Sequence, residues 1–298
     1  MTITTCAPAK INLDLRVLGT RRDGFHDLRT LLHSIELHDT LSFRDRAGPM
    51  TVRSRTPGVP PDRENIVWRA ARELWTALGR RGQPRDVAVM IHKAIPMAAG
   101  LGGGSSDAAC ALRGLCALWE VAPGRTCLRR VAARIGSDVP FFLDGGVALA
   151  SGRGERVRRV KALTPFWVML ALPRFGVSTA DAYRWFDADG SRHRASAGRG
   201  RLPQAWRDRM GSLVNHLEPV VVARHPDILA VVDALRATDA ALAAMTGSGS
   251  AVFGLFDRRS AALAARRAVR RPGWRTIMSR TVGRTEFARL TRVVQRRR

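Results

Sequence analysis

The sequence predicts an α+β fold in two domains. Segments with helical spacing of apolar residues interleave with short, strand-like apolar runs along the chain, which favours α+β over an all-helical or all-β fold. The 298 residues are 45% hydrophobic and 25% charged, and a prior of about 150 residues per domain suggests roughly two domains. The pattern restarts near residue 160, so we predict domains of 1–160 and 161–298.

The first half is predicted to begin with strands and then to alternate with helices. INLDLRVLG at 11–19 alternates apolar and polar residues like a half-buried strand, and RRDGFH at 21–26 contains an Asp-Gly turn signal. Strand-like residues continue to Asp45, and four prolines predict a loop over 48–62. The other predicted elements are a helix at 65–78, a strand at 86–96, a helix after residue 104, a helix at 127–135, and a strand pair at 147–151 and 155–160.

The second half is predicted to repeat this mixture. Its predicted elements are a strand at 166–173, a polar segment at 187–204, helices near 212–223 and at 226–237, a strand-turn-strand at 240–256, a helix at 261–270 and a final strand near 274–282.

The formal net charge of +25 raises the question of nucleic-acid binding. The arginines are scattered, however, and no zinc-finger or RNP-type signature accompanies them. We therefore expect acidic small substrates, with nucleic acid bound only non-specifically through the basic surface. Of the 50 basic residues only Lys10, Lys93 and Lys161 are lysines. A chain that favours Arg is expected to keep Lys at sites where the planar guanidinium of Arg cannot replace the compact ammonium of Lys.

No membrane or secretory signal is evident. The longest apolar runs, such as 165–173, are about half of the roughly 20 residues that a membrane span needs. The four cysteines show no CxxC pair, and the N-terminus lacks the order of a signal peptide. We expect a cytoplasmic protein with free thiols, and no feature of the sequence indicates an oligomeric state.

The stretch AGLGGGSSDAACAL at 99–112 lies between a predicted strand and a predicted helix. Unpaired amides at a helix start carry the positive end of the helix dipole, and glycine lets a phosphate approach them. A flexible turn that only caps the helix is the alternative, but the strand before and the helix after favour phosphate binding. The stretch lacks the Lys of GxxxxGK[ST].

PMAAGLGGGSSDAA at 96–109 resembles the ATP-binding motif of the GHMP kinases, Pro-x-x-x-Gly-Leu-Gly-x-Ser-Ser, with one additional glycine. Further motifs over about 8–256 resemble the branch of this family whose acceptor is 4-diphosphocytidyl-2-C-methyl-D-erythritol. In order they are PAKINLDLRVLGTRRDGFHDLRT, NIVWRAA, IGSDVPFF, VSTADAY, NHLEP and MTGSGSAVFGLF, with His216 in NHLEP where an acid is expected.

The resemblance implies a two-domain GHMP-kinase architecture with the active site in the cleft between the domains. The implied reaction transfers phosphate from ATP, with Mg²⁺, to the C2 hydroxyl of that acceptor in the non-mevalonate isoprenoid precursor pathway. Asp138 is the implied proton acceptor and Lys10 its partner, because a nearby lysine keeps an aspartate ionised and can contact the transferring phosphate. No metal-ligating residue is predicted.

The remaining roles follow from the same resemblance. Phe25 and Tyr183 would sandwich the cytosine while His26 bonds the base edge, Asn12 and Thr179 would contact substrate, and the turn at 246–254 would face the first glycine loop. The implied ATP-binding residues are Pro96, Met97, Ala98, Ala99, Gly100, Leu101, Gly102, Gly103, Gly104, Ser105 and Ser106, with Asn65 and Ile66 as adenine-site candidates.

Two alternatives remain open. A GHMP kinase for another small alcohol, such as homoserine or mevalonate, would have no use for a cytosine sandwich. An Arg-rich nucleic-acid binder would show no ATP turnover and would bind duplexes with an affinity that falls steeply with salt.

Overall fold

The computed structural model describes residues 1–161, 165–190 and 210–296. Within these residues, strands and helices alternate in the manner of an α+β fold, as predicted. The strands are β1 (Thr2–Thr20), β2 (His26–Pro49), β3 (Thr51–Ser54), β4 (Arg85–His92), β5 (Val147–Gly152), β6 (Arg156–Arg159), β7 (Trp167–Leu172), β8 (Leu242–Met245), β9 (Val252–Phe256), β10 (Arg275–Arg280) and β11 (Val294–Arg296). The helices are α1 (Ile66–Ala77), α2 (Gly103–Leu118), α3 (Arg125–Ile135), α4 (Thr179–Ala188), α5 (Glu218–Val222), α6 (Pro226–Arg236), α7 (Arg259–Ala268) and α8 (Arg284–Leu290).

The first sheet is built around the long antiparallel pair β1 and β2. Its order is β11-β1-β2-β4-β3. Strand β2 pairs with β5 along Leu28–His33 and with β4 along Thr40–Asp45. Strand β5 also pairs with β6. Residues of α1, α2 and α3 pack against this sheet in one apolar core that includes Phe43 and Leu112. The predicted turn at 21–25 joins the two long strands.

The second sheet has the order β10-β7-β9-β8 and is antiparallel throughout. Its core includes Met169, Val232 and Phe256, together with residues of α4, α5, α6 and α7. A third apolar cluster joins the two sheets, because Ile11 of β1 packs in the same cluster as Phe253 of β9.

Strand β1 passes through all three cores. Ile3 belongs to the first core, Ile11 to the cluster between the sheets, and Leu15 and Val17 to the second core. The middle of β1 therefore lies where the two sheets meet, and this is the part of the strand that contains the predicted site residues.

Several elements of the structure differ from those predicted. The predicted loop at 48–62 contains β3, which pairs in parallel with β4 and buries Val52. Helix α4 was not predicted, although Ser178 caps it by accepting a hydrogen bond from Asp181 N at 3.0 Å. The strand predicted near 274–282 is not the last element, because α8 and β11 follow it and β11 pairs with β1.

The helix predicted near 212–223 is only the five-residue α5. The residues before it bond to β1 instead, since Leu15 N donates to Val214 O at 2.7 Å and His216 N donates to Leu15 O at 2.9 Å. His216, found where an acid was expected, accepts a hydrogen bond at Nδ1 from Val17 N at 3.3 Å. Most of the predicted polar segment, residues 191–204, lies outside the described residues, and the boundary near 160 stays a prediction.

The four cysteines are free thiols. Among the residues that the structure describes, none of the helices is both long and apolar enough to span a membrane.

Candidate active site

The glycine-rich stretch forms a loop between β4 and α2. Gly100 and Gly102 have φ of +74° and +71°, a left-handed backbone that glycine adopts without a Cβ penalty. Gly102 is the N-cap of α2 and provides no side-chain cap. The first amides of α2 are therefore available to an anion at the positive end of the helix dipole.

A second glycine loop, residues 246–250 between β8 and β9, packs against the first. A Cβ on Gly100 would lie 2.1 Å from Thr246 O, and one on Gly247 would lie 3.2 Å from Lys10 Nζ. Ala251 N also donates a hydrogen bond to Ala99 O at 3.3 Å. The two loops approach so closely that only glycine fits at Gly100.

The NHLEP segment supports this second loop, a role that the sequence did not reveal. Asn215 is buried, and its Nδ2 donates to Met245 O at 2.9 Å and to Gly247 O at 2.8 Å. Glu218 Oε2 accepts a hydrogen bond from Met245 N at 2.7 Å. Asn215 was the available signal, because Asn side chains often bond to nearby backbone groups instead of joining a helix.

Lys10 and Asp138 meet next to the first loop. Lys10 lies at a bulge of β1 and is 4% exposed; its Nζ donates to Asn12 Oδ1 at 2.5 Å and to Gly100 O at 2.9 Å. The same Nζ lies 3.6 Å from Asp138 Oδ2, which is one-third exposed in the turn after α3. Burial lowers the pKa of Lys10, while the Asp138 carboxylate opposes this shift. A cation and a carboxylate thus face the cleft together.

Asn12 is held in one orientation by its neighbours. Its backbone N donates to Thr246 Oγ1 at 2.9 Å, and its Nδ2 donates to Thr30 Oγ1 at 2.8 Å. Because Nδ2 is engaged by Thr30, Oδ1 faces Lys10 and accepts one of the ammonium's hydrogen bonds.

Aromatic side chains form the other end of the cleft. The His26 ring stacks on Tyr183 with centroids 4.8 Å apart and an interplanar angle of 20°, and His26 Nε2 lies 2.9 Å from Asp187 Oδ1. Phe25 is 52% exposed in the turn after β1. Burial raises the pKa of Tyr183, so its hydroxyl is a neutral donor. One face of the Tyr183 ring is thus covered by His26. This contact was not part of the predicted arrangement, in which Phe25 and Tyr183 sandwich the cytosine.

Lys93 lies beneath the start of α2 in a buried cluster with Asp39 and Asp107. Its Nζ bonds to Asp39 Oδ2 and lies 2.8 Å from Asp107 Oδ2. Burial raises the pKa of Asp107 to about 8, although the Lys93 ammonium opposes this. Asp107 Oδ1 is buried without a hydrogen-bond partner among the described residues, so this carboxylate retains acceptor capacity. Lys161, in contrast, is exposed.

A single cleft of about 1150 Å³ brings these groups together. Ser106 does not line it, because its hydroxyl is fully buried and donates to Pro8 O at 2.7 Å, which ties α2 to β1. Among the other predicted residues, Asn65 caps α1 by accepting from Val67 N at 2.9 Å, and Thr179 Oγ1 lies 3.2 Å from Ser248 Oγ. The predicted residues that line the cleft are Lys10, Asn12, Phe25, His26, Asn65, Ile66, Pro96, Met97, Ala98, Ala99, Gly100, Leu101, Gly102, Gly103, Gly104, Ser105, Asp138, Thr179 and Tyr183.

The fold and the cleft define the class of protein. Family models described as the GHMP kinases N terminal domain and the GHMP kinases C terminal match residues 65–146 and 197–273. A homoserine kinase from Cytophaga hutchinsonii shares the fold at a TM-score of 0.71, with 18% identity and 95% of each chain covered.

Proteins with higher sequence identity show to which branch of the GHMP kinases the chain belongs. A protein of Pelotomaculum thermopropionicum named 4-diphosphocytidyl-2-C-methyl-D-erythritol kinase is 44% identical over 86% of this chain and 89% of its own length. One of the same name from Deinococcus radiodurans is 42% identical over 90% and 89%. A crystal structure of 4-(cytidine 5'-diphospho)-2C-methyl-D-erythritol kinase matches at a TM-score of 0.73, with 34% identity over 94% of this chain and 99% of the other. This chain belongs to the 4-diphosphocytidyl-2-C-methyl-D-erythritol kinase family within the GHMP kinases.

Proposed function

We propose that this protein transfers the γ-phosphoryl group of ATP to the C2 hydroxyl of 4-diphosphocytidyl-2-C-methyl-D-erythritol in the non-mevalonate pathway. The observation that carries this proposal is the shared cleft, where the Lys10–Asp138 pair lies between a glycine loop at a helix N-terminus and a stacked His26–Tyr183 pair. Phosphoryl transfer is catalysed mainly by positioning and electrostatic stabilisation, and this arrangement supplies both.

Asp138 is the group that accepts the proton of the acceptor hydroxyl. Its carboxylate is partly exposed to the cleft and is held by the Lys10 ammonium. As the hydroxyl oxygen bonds to the γ-phosphorus, the bond from phosphorus to ADP breaks and the proton passes to Asp138. Lys10 stabilises both the aspartate and the negative charge of the transferring group, because its buried ammonium is fixed by Asn12 and Gly100.

The first glycine loop holds the phosphates of ATP. The uncapped amides at the start of α2 offer donors without a side chain in the way, and Gly100 and Gly102 let the backbone bend around the anion. Asn65 and Ile66 lie on the same cleft wall, and Ile66 Cγ2 is 3.8 Å from the position of a Cβ on Gly104. This position supports the adenine-site assignment of Ile66.

The residues present fit a Mg²⁺ ion held together with ATP. Such an ion needs one or two protein carboxylates, because waters and substrate phosphates supply its other ligands. Asp107 lines the cleft at the start of α2 with an unpartnered Oδ1, and Ser105 lines it beside Asp107. These two residues would hold the ion, with Asp107 releasing its proton on binding, and the ion would neutralise charge on the phosphates.

The aromatic end of the cleft selects the cytidine acceptor. Asp187 Oδ1 accepts a hydrogen bond from His26 Nε2, and Nδ1 of the same ring is then the acceptor for the cytosine amino group. Phe25 and the part of the Tyr183 ring that His26 leaves uncovered supply the faces on which a base stacks. Stacking is tolerant of the base, so His26 provides the choice of cytosine.

The test is an ADP-release assay with ATP and, separately, the cytidine substrate, homoserine and mevalonate. We expect turnover with the cytidine substrate only. Turnover with homoserine or mevalonate instead would establish the alternative kinase function, and tight duplex binding without ATP turnover would establish a nucleic-acid binder.

The role of Asp138 has its own test. Asp138→Asn preserves the shape of the side chain but cannot take a proton, so we expect kcat to fall by at least about a hundredfold. The affinity for CDP, measured by calorimetry, should change by less than about threefold because the base binds at the other end of the cleft. An unchanged kcat in this variant would refute the assignment.

A further inference from the structure

The turn between β5 and β6 reaches into the cleft beside Asp138. A Cβ on Gly154 would lie 3.4 Å from Ser137 Cβ and 3.7 Å from Asp138 Oδ1, so the backbone of the turn runs next to the segment that contains Asp138. Glu155 Oε2 accepts a hydrogen bond from the backbone N of Arg153 at 2.7 Å. The backbone of Arg153 is therefore fixed next to the reacting end of the cleft.

The side chain of Arg153 extends towards the aromatic end. Its guanidinium carbon lies 5.0 Å from the centroid of the Phe25 ring, within the range of a cation–π contact. The residue lines the cleft and is partly exposed. Arg153 thus bridges the space between Phe25, where the base stacks, and Asp138, where the hydroxyl reacts.

The other lysines and arginines that line the cleft are ion-paired. Lys93 is paired with two aspartates, and Arg184 Nη2 lies 2.7 Å from Asp181 Oδ1. Lys10 is paired with Asp138.

Arg153 differs from them in this respect. Within residues 1–161, 165–190 and 210–296, no carboxylate lies within ion-pair distance of its guanidinium. Asp23 is near enough for the two charges to interact, but its carboxylate accepts hydrogen bonds from Arg21 Nε and Phe25 N. The cleft therefore presents one arginine whose charge is not neutralised by a paired carboxylate.

We propose that Arg153 binds the diphosphate of the acceptor and sets its register along the cleft. The acceptor's order of cytidine, diphosphate and polyol matches the order of Phe25, Arg153 and Asp138. A planar guanidinium bonds phosphate oxygens in pairs, which fixes distance and direction. The diphosphate so held places the polyol next to the Lys10–Asp138 pair. This assignment rests on the proposed function.

The test compares ligands that differ only in phosphate number. The affinities of cytidine, CMP and CDP are measured by calorimetry for the wild-type protein, Arg153→Gln and the control Arg158→Gln. Arg158 is exposed on the same hairpin and does not line the cleft, so the control removes the same charge nearby. Melting temperatures establish that both variants are folded.

We expect Arg153→Gln to weaken CDP binding about ten- to a hundredfold, because a charge-assisted hydrogen bond is lost. Cytidine binding should fall less than threefold, and Arg158→Gln should leave both affinities near wild type. In turnover, Arg153→Gln should raise the KM of the cytidine substrate by a similar factor while the KM of ATP stays unchanged. Arg153→Lys should recover part of the CDP affinity.

Two results would overturn the assignment while leaving the proposed function intact. Equal losses for cytidine and CDP would mean that Arg153 only supports the Phe25 ring, and unchanged CDP affinity would mean that it binds no phosphate. A wild-type protein that binds no CDP would overturn the proposed function and this assignment together.

Discussion

Gly100 tests whether the contact between the two glycine loops is essential for activity. A Cβ at Gly100 would lie 2.1 Å from Thr246 O, whereas ordinary contact begins at 3.4 Å, so Gly100→Ala requires the loops to separate by about 1.3 Å. Gly100 O is also an acceptor for Lys10 Nζ. A displacement of about 1 Å at a reacting group costs on the order of a hundredfold in rate, so we expect kcat/KM to fall by about that factor.

Gly79→Ala is the matched control. Gly79 has φ of +72°, almost the same as the +74° of Gly100, but no atom lies within 4 Å of its Cβ position. Both alanines bear a backbone strain of about 1 kcal/mol, whereas only the alanine at Gly100 meets a neighbouring backbone. We expect Gly79→Ala to lower the melting temperature by about 2 °C and to leave kcat/KM within about twofold of wild type.

The assay is ADP release at saturating ATP with the cytidine substrate varied, together with urea unfolding of each variant. If Gly100→Ala retained kcat/KM within about threefold of wild type, the close approach of the loops would not be needed for catalysis. If Gly79→Ala lost as much activity as Gly100→Ala, backbone strain rather than the steric contact would account for the loss.

Three other substitutions test the buried groups. Lys10→Met should lower kcat at least about a hundredfold, yet the free energy of unfolding in urea at pH 7 should not fall, because burial disfavours the ammonium and lowers its pKa. In Asp107→Asn, the free energy of unfolding should fall less between pH 5 and pH 7.5 than in wild type. In the folded wild type the carboxyl of Asp107 keeps its proton up to a pKa of about 8, whereas in the unfolded chain it releases the proton near pH 3.8. The free energy of unfolding of the wild type therefore declines with rising pH between these values, by at most about 1.4 kcal/mol per pH unit. Equal declines would contradict the raised pKa. Tyr183→Ala should weaken CDP binding about tenfold or more through lost stacking, and an equal rise in the KM of ATP would argue against a base platform.

Much of the secondary structure could be predicted where local signals are strong. The helix at 65–78 was predicted from its apolar spacing and is α1, and the strand-turn-strand at 240–256 is β8 and β9. Predictions were wrong where pairing partners decided the outcome. β3 forms in a proline-rich stretch because β4 offers a parallel partner, and residues 214–216 extend along β1 rather than joining a helix.

Only those residues of the site that belong to a recognisable sequence motif, or that stand out by their rarity, could be predicted. The glycine loop has a sequence signature because positive φ and close approach demand glycine, and Lys10 was prominent because the chain has few lysines. Arg153 had no such signal, since one arginine among many in a basic chain is indistinguishable until its neighbours are known.

The sequence by itself determined the α+β class, the glycine loop and the candidate residues, because these depend on side-chain spacing and local backbone preference. Only the tertiary structure decided which of them meet. It buried Lys10 against Asn12 and beside Asp138, 128 positions further along the chain, stacked His26 on Tyr183, and turned Ser106 away to hold Pro8. Contacts between distant segments arise from packing two sheets around β1, and no local pattern encodes that arrangement.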